Sequence, residues 1–401
     1  MSEERLVPKL RFKDFDDEWV IKRLDEISEI NPKTRELPEN FVYIDLDSVN
    51  NGILTKFNKI NKIDAPSRAQ RCLDLNDILF QTVRPYQMNN FFFELNDCDY
   101  VASTGYAQIK SQIFPRFLYY YLHYYKFVND VLNRCTGSSY PAINSTDLKK
   151  IKIKIPSSFN EQKLIGDLFH KIDKKIELLE NKYEYYQYFK KYLMQQIFTQ
   201  KLRFDFNDEW KNIPFKKLLK EVNEKTTVNN QHEILSSTKE GIFTQKDYFA
   251  DRNVASKDNT GYKVLRKNQI VLSPQNLWMG NINVNTEFDI GIVSPSYKIY
   301  ETTDLIDINY FKHIVKLPRL IYEYTCASEQ GASIVRRNLN KQLFNEITIK
   351  VPSLNEQKKI GNLFDTCDEK IKNIDKNIQD MKEFKKGLLQ QMFDNMLLFK
   401  L

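Results

Sequence analysis

Asn160-Glu-Gln-Lys-Leu-Ile-Gly-Asp-Leu-Phe169 returns 195 residues later as Asn355-Glu-Gln-Lys-Lys-Ile-Gly-Asn-Leu-Phe364. The match runs without a gap to Phe198 and Phe393, with 18 of 39 positions identical. A self-match of that length means a duplicated unit, and it constrains the architecture before any single element is assigned. It extends upstream, where Ile151-Lys-Ile-Lys-Ile-Pro156-Ser resembles Ile347-Thr-Ile-Lys-Val-Pro352-Ser, and downstream, where Leu202 and Phe204 fall on Leu397 and Phe399. A second block opens each half: Lys9-Leu-Arg-Phe12 with Asp17-Glu-Trp19 recurs as Lys201-Leu-Arg-Phe204 with Asp208-Glu-Trp210.

Within the long repeat, apolar residues return every seven positions. They are Ile165, Ile172, Leu179, Tyr186 and Leu193 in the first copy and Ile360, Cys367, Ile374, Met381 and Leu388 in the second. Such a seam predicts two long helices that pair with each other. Each opens on a capping box, Ser158-x-x-Glu161 and Ser353-x-x-Glu356, in which serine covers a free amide and glutamate reaches back. A helix of this length spans about 57 Å at 1.5 Å per residue, too long for one ordinary core and suited to a spacer. Antiparallel pairing would return the C-terminus to the N-terminus, giving a pseudo-twofold molecule of cyclic topology.

The regions between the repeats, about 20–150 and 211–346, have diverged. Only faint echoes remain, Ser103–Tyr106 with Ser294–Tyr297 and Asp77-Ile-Leu with Gln269-Ile-Val. Both read as mixed α/β, with short strand-like runs at Phe41–Ile44, Ile78–Phe80, Ile109, Lys263–Leu265, Ile270–Leu272 and Ile290–Val293, and helices at Phe114–Leu132 and Phe311–Tyr324. The expected division is 1–155 and 201–351 for two recognition domains, with 156–200 and 352–401 for the helices and the tail. A kept frame with two unlike inserts suits a molecule that recognises two different things.

With 401 residues, 41% of them apolar and 28% charged, the chain is long enough for two or three packed domains and is not a disordered one. Its net charge of +7 permits a polyanionic partner. The five cysteines, at 72, 98, 135, 326 and 367, form no C-x-x-C pair, which points to free thiols in a reducing cytoplasm. Neither a signal peptide nor a membrane span is expected: residues 1–10 lack an apolar run, and the longest uncharged stretch, Asn268–Thr286, is interrupted throughout by Asn and Gln, with Ser273.

Catalytic signatures are missing from the sequence. With only 11 glycines, it has no G-x-G and no phosphate loop. Its one Asn-Pro, Asn31-Pro32-Lys33, lacks the second proline and aromatic of DNA amino-methyltransferases. The four histidines, 123, 170, 232 and 313, show no metal-ligand spacing, and no G-x-S-x-G elbow is present. No catalytic residue, metal or cofactor is therefore expected in this chain. Loops of the kind that meet base edges and phosphates are plentiful instead. In the first half the candidates are Arg84, Tyr86, Gln87, Asn89 and Asn90, then Ser138, Ser139 and Tyr140. In the second they are Gln275, Asn276, Trp278 and Asn281, then Arg336 and Arg337.

These residues resemble the specificity subunit of type I restriction-modification systems. The carriers are Pro8–Phe12 with Glu18-Trp19, the paired Asn160-Glu-Gln162 and Asn355-Glu-Gln357, and the endings Gln195–Phe198 and Gln390–Phe393, which recur in the same order in both halves. The resemblance implies a non-catalytic subunit with two target recognition domains, each reading one part of a split site on double-stranded DNA, separated by two long antiparallel coiled-coil helices. It also implies that the helices dock two methyltransferase subunits and that restriction/translocase subunits join them. S-adenosylmethionine, ATP and magnesium would belong to those partners. A different class fits the composition as well: a coiled-coil scaffold with two divergent protein- or glycan-binding modules.

Overall fold

The computed structural model describes residues 6–95, 99–249, 256–330 and 337–394. They form two compact units, one made by the chain up to Lys182 together with the residues from Ile374 onward, the other by Tyr183–Asn373. The repeats are two continuous 40-residue helices, Phe159–Phe198 and Leu354–Phe393. Each contributes one stretch to each unit.

In both units the helix stretches run antiparallel, early residues of one beside late residues of the other. In the first unit Phe169 stacks on Phe393 with centroids 5.9 Å apart, Lys385 donates to Asp173 at 2.5 Å, and Lys382 pairs with Glu180 at 2.7 Å. In the second, Phe198 stacks on Phe364 at 5.7 Å and Lys190 pairs with Asp368, the repeat equivalents of those aromatic and lysine–aspartate contacts. Seam residues also enter the unit cores, Ile165, Ile172 and Leu388 in the first and Leu193, Ile360 and Cys367 in the second. Ile374 is buried, and Leu179, Tyr186 and Met381 are half-buried. The apolar stripe therefore serves two surfaces at once, the partner helix and the globular part of its own unit.

The expected capping boxes form only in part. Ser158 Oγ accepts from the Glu161 amide at 3.5 Å, and Ser353 Oγ is buried with no hydrogen-bond partner among the described residues. Both glutamates are fully buried and are held from the start of their own unit. Arg11 donates to the two carboxylate oxygens of Glu161 at 2.7 and 2.8 Å, and the Trp19 indole adds a bond at 3.3 Å. Arg203 and Trp210 hold Glu356 the same way, at 2.8, 2.8 and 3.3 Å. A guanidinium fork binds a carboxylate withdrawn from water more strongly than one backbone amide can.

The neighbouring glutamine completes this junction. Gln162 accepts from the Phe114 amide at 3.0 Å and donates to the Pro156 carbonyl at 2.9 Å. Gln357 accepts from the Asp307 amide at 2.7 Å and donates to the Pro352 carbonyl at 2.9 Å. The twice-occurring Asn-Glu-Gln is thus a structural clasp joining the opening block, the strand before the helix and the helical segment that packs on it. Gly166 and Gly361 let that last segment approach: a Cβ at Gly166 would lie 2.8 Å from the Phe117 amide nitrogen, and one at Gly361 3.1 Å from that of Tyr310.

Chain closure is visible in the backbone. The amides of Lys9 and Leu10 donate to Asp394 and Gln391 at 2.8 and 3.0 Å, capping the end of the second long helix. Leu202 donates to Gln196 at 3.1 Å at the end of the first. Because Gln196 and Gln391 are repeat equivalents, the N-terminal segment stands in the first unit where Lys201–Phe204 stands in the second. The matching of Leu397–Phe399 to Leu202–Phe204 lies outside the described residues.

The diverged regions keep one common frame. Strand Val20–Arg23 pairs antiparallel with Lys152–Ile155, as Lys211–Pro214 does with Thr348–Val351. A four-stranded antiparallel sheet follows in each unit. In the first its order is Ser28–Ile30, Tyr106–Ser111, Ile78–Gln81, Phe91–Phe92; in the second, Leu219–Val222, Lys298–Thr302, Ile270–Leu272, Ile282–Val284. Asp77 and Gln269, part of the faint echo, both accept from the amide three residues back, at 2.7 Å, just before the same strand. The rest differs: among the described residues the first unit adds a four-stranded mixed sheet and one two-stranded pair, the second three separate two-stranded pairs. The helices expected over Phe114–Leu132 and Phe311–Tyr324 are each broken in two, as Pro115–Tyr121 with Tyr125–Leu132 and Ile308–Ile314 with Pro318–Cys326. Pro318 cannot donate to a preceding helical carbonyl, and Tyr124 is extended at φ −70°, ψ 132°. No helix among the described residues is long and apolar enough to cross a membrane.

Candidate nucleic-acid interface

In both units the central sheet ends in a loop whose polar side chains divide into supports and exposed groups. After Ile78–Gln81, residues 82–90 wrap around a single 3-10 turn, Pro85–Gln87. Buried Gln81 organises the loop from below: its amide donates to the Val83 carbonyl and to Gln87 Oε1, both at 2.8 Å, and accepts from the Asn89 amide at 3.1 Å. Asn90 is only 1% exposed. Its Oδ1 accepts from the Gln81 amide at 2.9 Å, and its amide nitrogen meets His123 Nε2 at 3.3 Å. Burial brings His123 down to about 4, helped by Lys385, so the ring is neutral at pH 7, with Nδ1 donating to the Tyr119 carbonyl at 2.8 Å. Asn90 therefore supports the loop and presents nothing to a ligand, a correction to the sequence expectation.

Above this base Tyr86, Gln87 and Met88 are exposed, and Arg84 and Asn89 are half-buried. Asn89 Oδ1 accepts from the Asn51 amide at 3.1 Å. Arg84 lies in the left-handed region at φ 54°, ψ 55°, and Met88 at φ 51°, ψ 30°. Side-chained residues avoid this region, and its use marks a loop whose shape is imposed by its surroundings. Ser138, Ser139 and Tyr140 are exposed on a neighbouring turn closed by paired Thr136 and Ala142 backbone bonds at 2.9 and 3.0 Å. The Arg84 guanidinium lies over the Tyr140 ring, 4.5 Å from its centroid.

The second unit builds the same contact with the partners exchanged. Its loop, residues 273–281, turns through Leu277–Met279 and a left-handed Gly280 at φ 85°. Gln275 and Met279 are exposed, and Asn276 and Trp278 half-buried. Asn281 is 5% exposed and its amide is engaged by Ser237, accepting from Oγ and donating to the carbonyl, each at 2.8 Å. Like Asn90, it is a support rather than a contact residue. Here the aromatic ring, Trp278, comes from the sheet loop, and the cation, Arg337, from strand Arg337–Leu339, with Cζ 4.4 Å from the ring centroid. Arg336 lies outside the described residues.

The supports Gln81, His123 and Ser237 carried no local signal in the sequence, because their roles arise only when distant segments meet. A cleft of about 630 Å³ elsewhere in the second unit is lined by Lys190, Lys312, His313, Lys316, Asp365 and Asp368. Its charges largely pair with each other, Lys312 and His313 with Asp365 and Lys190 with Asp368, leaving little to hold a small molecule. No group of three or more acidic, histidine or cysteine side chains able to hold a metal occurs among the described residues.

Two versions of one α/β frame thus each bring a guanidinium over an aromatic ring beside the loop that follows the central strand. Residues 16–185 match the family described as the type I restriction modification DNA specificity domain. A 149-residue stretch is 28% identical to the type I restriction enzyme HindI specificity subunit of Haemophilus influenzae, over 35% of this chain and 31% of that protein. The match thus spans about a third of the length of this curated relative. Over the whole chain the fold is that of the type I restriction-modification S subunit from M. genitalium, with a TM-score of 0.60, 17% identity and coverage of 97% of this chain and 100% of that one. A chain from a study of complex assembly and conformational transition in the type I R-M system aligns with a TM-score of 0.56 and 19% identity, covering 94% of this chain and 97% of that one.

Proposed function

We propose that the chain reads double-stranded DNA as the specificity subunit of a type I restriction-modification assembly. Each unit takes one part of a bipartite, asymmetric site through its paired loops in the major groove. The observation that carries this reading is the recurrence, on two otherwise diverged inserts, of an arginine and an aromatic ring brought together at the end of the same sheet. The match of residues 16–185 to a DNA specificity domain supports DNA as the ligand of the first unit, and the shared frame extends that reading to the second.

Catalysis belongs to partner subunits, with S-adenosylmethionine used for adenine methylation and ATP with magnesium for translocation and cleavage. The two 40-residue helices, each about 60 Å long, set the spacer between half-sites and dock two methyltransferase subunits. Tyr185, Tyr188 and Tyr192 support a docking role: they lie on neighbouring turns of the first long helix and are 62%, 71% and 56% exposed. Clustered exposed aromatics are typical of protein interfaces.

A salt series on binding of the full chain to duplex DNA tests the DNA assignment. Log affinity should fall linearly with log salt, because bound lysines and arginines release condensed counterions. Affinity that ignores salt, or equal competition by a neutral glycan, contradicts the proposal and favours a scaffold.

A further inference from the structure

The two arginine–aromatic contacts share more than composition. Arg84 donates its own backbone amide to the Pro141 carbonyl at 2.7 Å, next to the Tyr140 it covers. Arg337 donates its amide to the Gln275 carbonyl at 3.1 Å, on the loop that carries the Trp278 it covers. In each unit the arginine is thus tied twice to the segment bearing its ring, once by main chain and once by side chain, although arginine and ring have exchanged segments. Neither guanidinium has a carboxylate partner among the described residues, unlike Arg11, Arg23, Arg35, Arg116, Arg203 and Arg266; Arg68, Arg71, Arg134 and Arg319 also lack an ion pair there but lie over no aromatic ring. Arg337 Nε is buried with no hydrogen-bond partner among the described residues.

A guanidinium lying over a ring has its plane fixed and its N–H edge directed sideways. Contact with a phosphate needs only charge at the right distance and tolerates a mobile side chain. Reading a base needs two parallel N–H groups at a set position, which is the arrangement that meets guanine O6 and N7. Preorganisation lowers the entropy lost on ordering a long side chain at an interface.

We propose that Arg84 and Arg337 are the base-reading guanidiniums of their units, held in plane by Tyr140 and Trp278, and that each half of the recognised site contains a guanine contacted through O6 and N7. This rests on the DNA-recognition reading above and specifies what that recognition reads. Arg84 and Arg337 are the contact residues, and Tyr140 and Trp278 are positioning residues.

The test is selection by the full chain from a pool of duplexes with a randomised centre, comparing the native protein with Arg84→Gln, Arg84→Lys, Tyr140→Leu, Tyr140→Phe, Arg337→Gln and Trp278→Leu. The native chain should enrich a split motif with a guanine in each part. Arg84→Gln and Arg84→Lys should lose the preference at one guanine, with affinity for the enriched duplex down about 5- to 140-fold. The other half of the motif should persist, which also shows that the variant is folded. Tyr140→Leu should blur the same position and Tyr140→Phe should keep it, while Arg337→Gln and Trp278→Leu should act only on the other half. Replacing the affected guanine by 7-deazaguanine should weaken the native chain and leave Arg84→Gln unchanged. A uniform loss of affinity with an intact motif would assign these arginines to phosphate and overturn the proposal, as would a motif lacking guanine in either part. A native chain that enriches no motif overturns the DNA reading itself.

Discussion

Replacing Glu161 by glutamine tests the clasp that joins the opening segment to the first long helix. The Glu161 side chain has no exposed surface, and that of Arg11 is 9% exposed. Two charge-assisted bonds and the Trp19 indole bond converge on this carboxylate. Glutamine keeps the shape but removes the charge and one acceptor, leaving a guanidinium nearly out of water without its counter-charge. Breaking a buried pair from one side costs about 3–5 kcal/mol. The equivalent Glu356→Gln should cost less, because Arg203 is 24% exposed and water partly replaces the lost partner. Replacing both members by apolar residues, Arg11→Met with Glu161→Leu, removes the stranded charge and should recover part of the loss, the remainder being the cost, about 1–3 kcal/mol, of the buried Trp19 N–H left without its acceptor. Two units need not unfold together, so the assay is native-state hydrogen exchange read by peptide. The opening free energy of 20–23 and 152–155 should drop in Glu161→Gln, while that of 211–214 and 348–351 holds, and the reverse should occur in Glu356→Gln. A loss below about 1 kcal/mol in Glu161→Gln, or a double variant no better than the single one, would refute the idea that a desolvated ion pair fastens this junction.

Glycine placement gives a paired control on the same helices. Gly166→Ala meets the Phe117 backbone and should destabilise the first unit by about 1–3 kcal/mol, whereas Gly387→Ala, with nothing within 4 Å, should stabilise by up to about 1 kcal/mol; thermal denaturation reads both. Because the His123 folded-state value is lowered to about 4, the unfolded chain binds the extra proton between about pH 6.5 and 4. Stability of the first unit is therefore full above this window and falls as pH drops through it, by at most about 3 kcal/mol. Denaturation at pH 7 and pH 5 should show the loss, and His123→Gln should reduce it. Deleting one heptad from both helices, Lys174–Glu180 with Glu369–Asp375, should shorten the preferred spacer or abolish binding in a duplex-spacing series; an unchanged spacer contradicts a measuring role for the helices.

The architecture was legible wherever the repeat preserved it. The heptad positions locate both helices, and the placement of Lys9–Phe12 and Lys201–Phe204 foretells the closure seen between Leu10 and Gln391. Long-range chemistry was not legible. Ser-x-x-Glu reads locally as a capping box, yet the buried carboxylate went to an arginine and a tryptophan about 150 positions away, because a guanidinium partner outweighs one amide when water is excluded. Asn90 and Asn281 looked like base readers by residue type, but an amide that can satisfy both a donor and an acceptor is equally suited to bracing a loop from beneath. The pairing of Arg84 with Tyr140 and of Trp278 with Arg337 depends on which loops the sheet brings together, and nothing in local spacing records that.

The most direct measurement is modified-base sequencing of genomic DNA from the host with this gene present, deleted and restored. Methylated adenines confined to one split, asymmetric motif should vanish on deletion and return on complementation. Unchanged methylation on deletion, with the methyltransferase partner expressed, would contradict the role of this chain in directing modification to DNA.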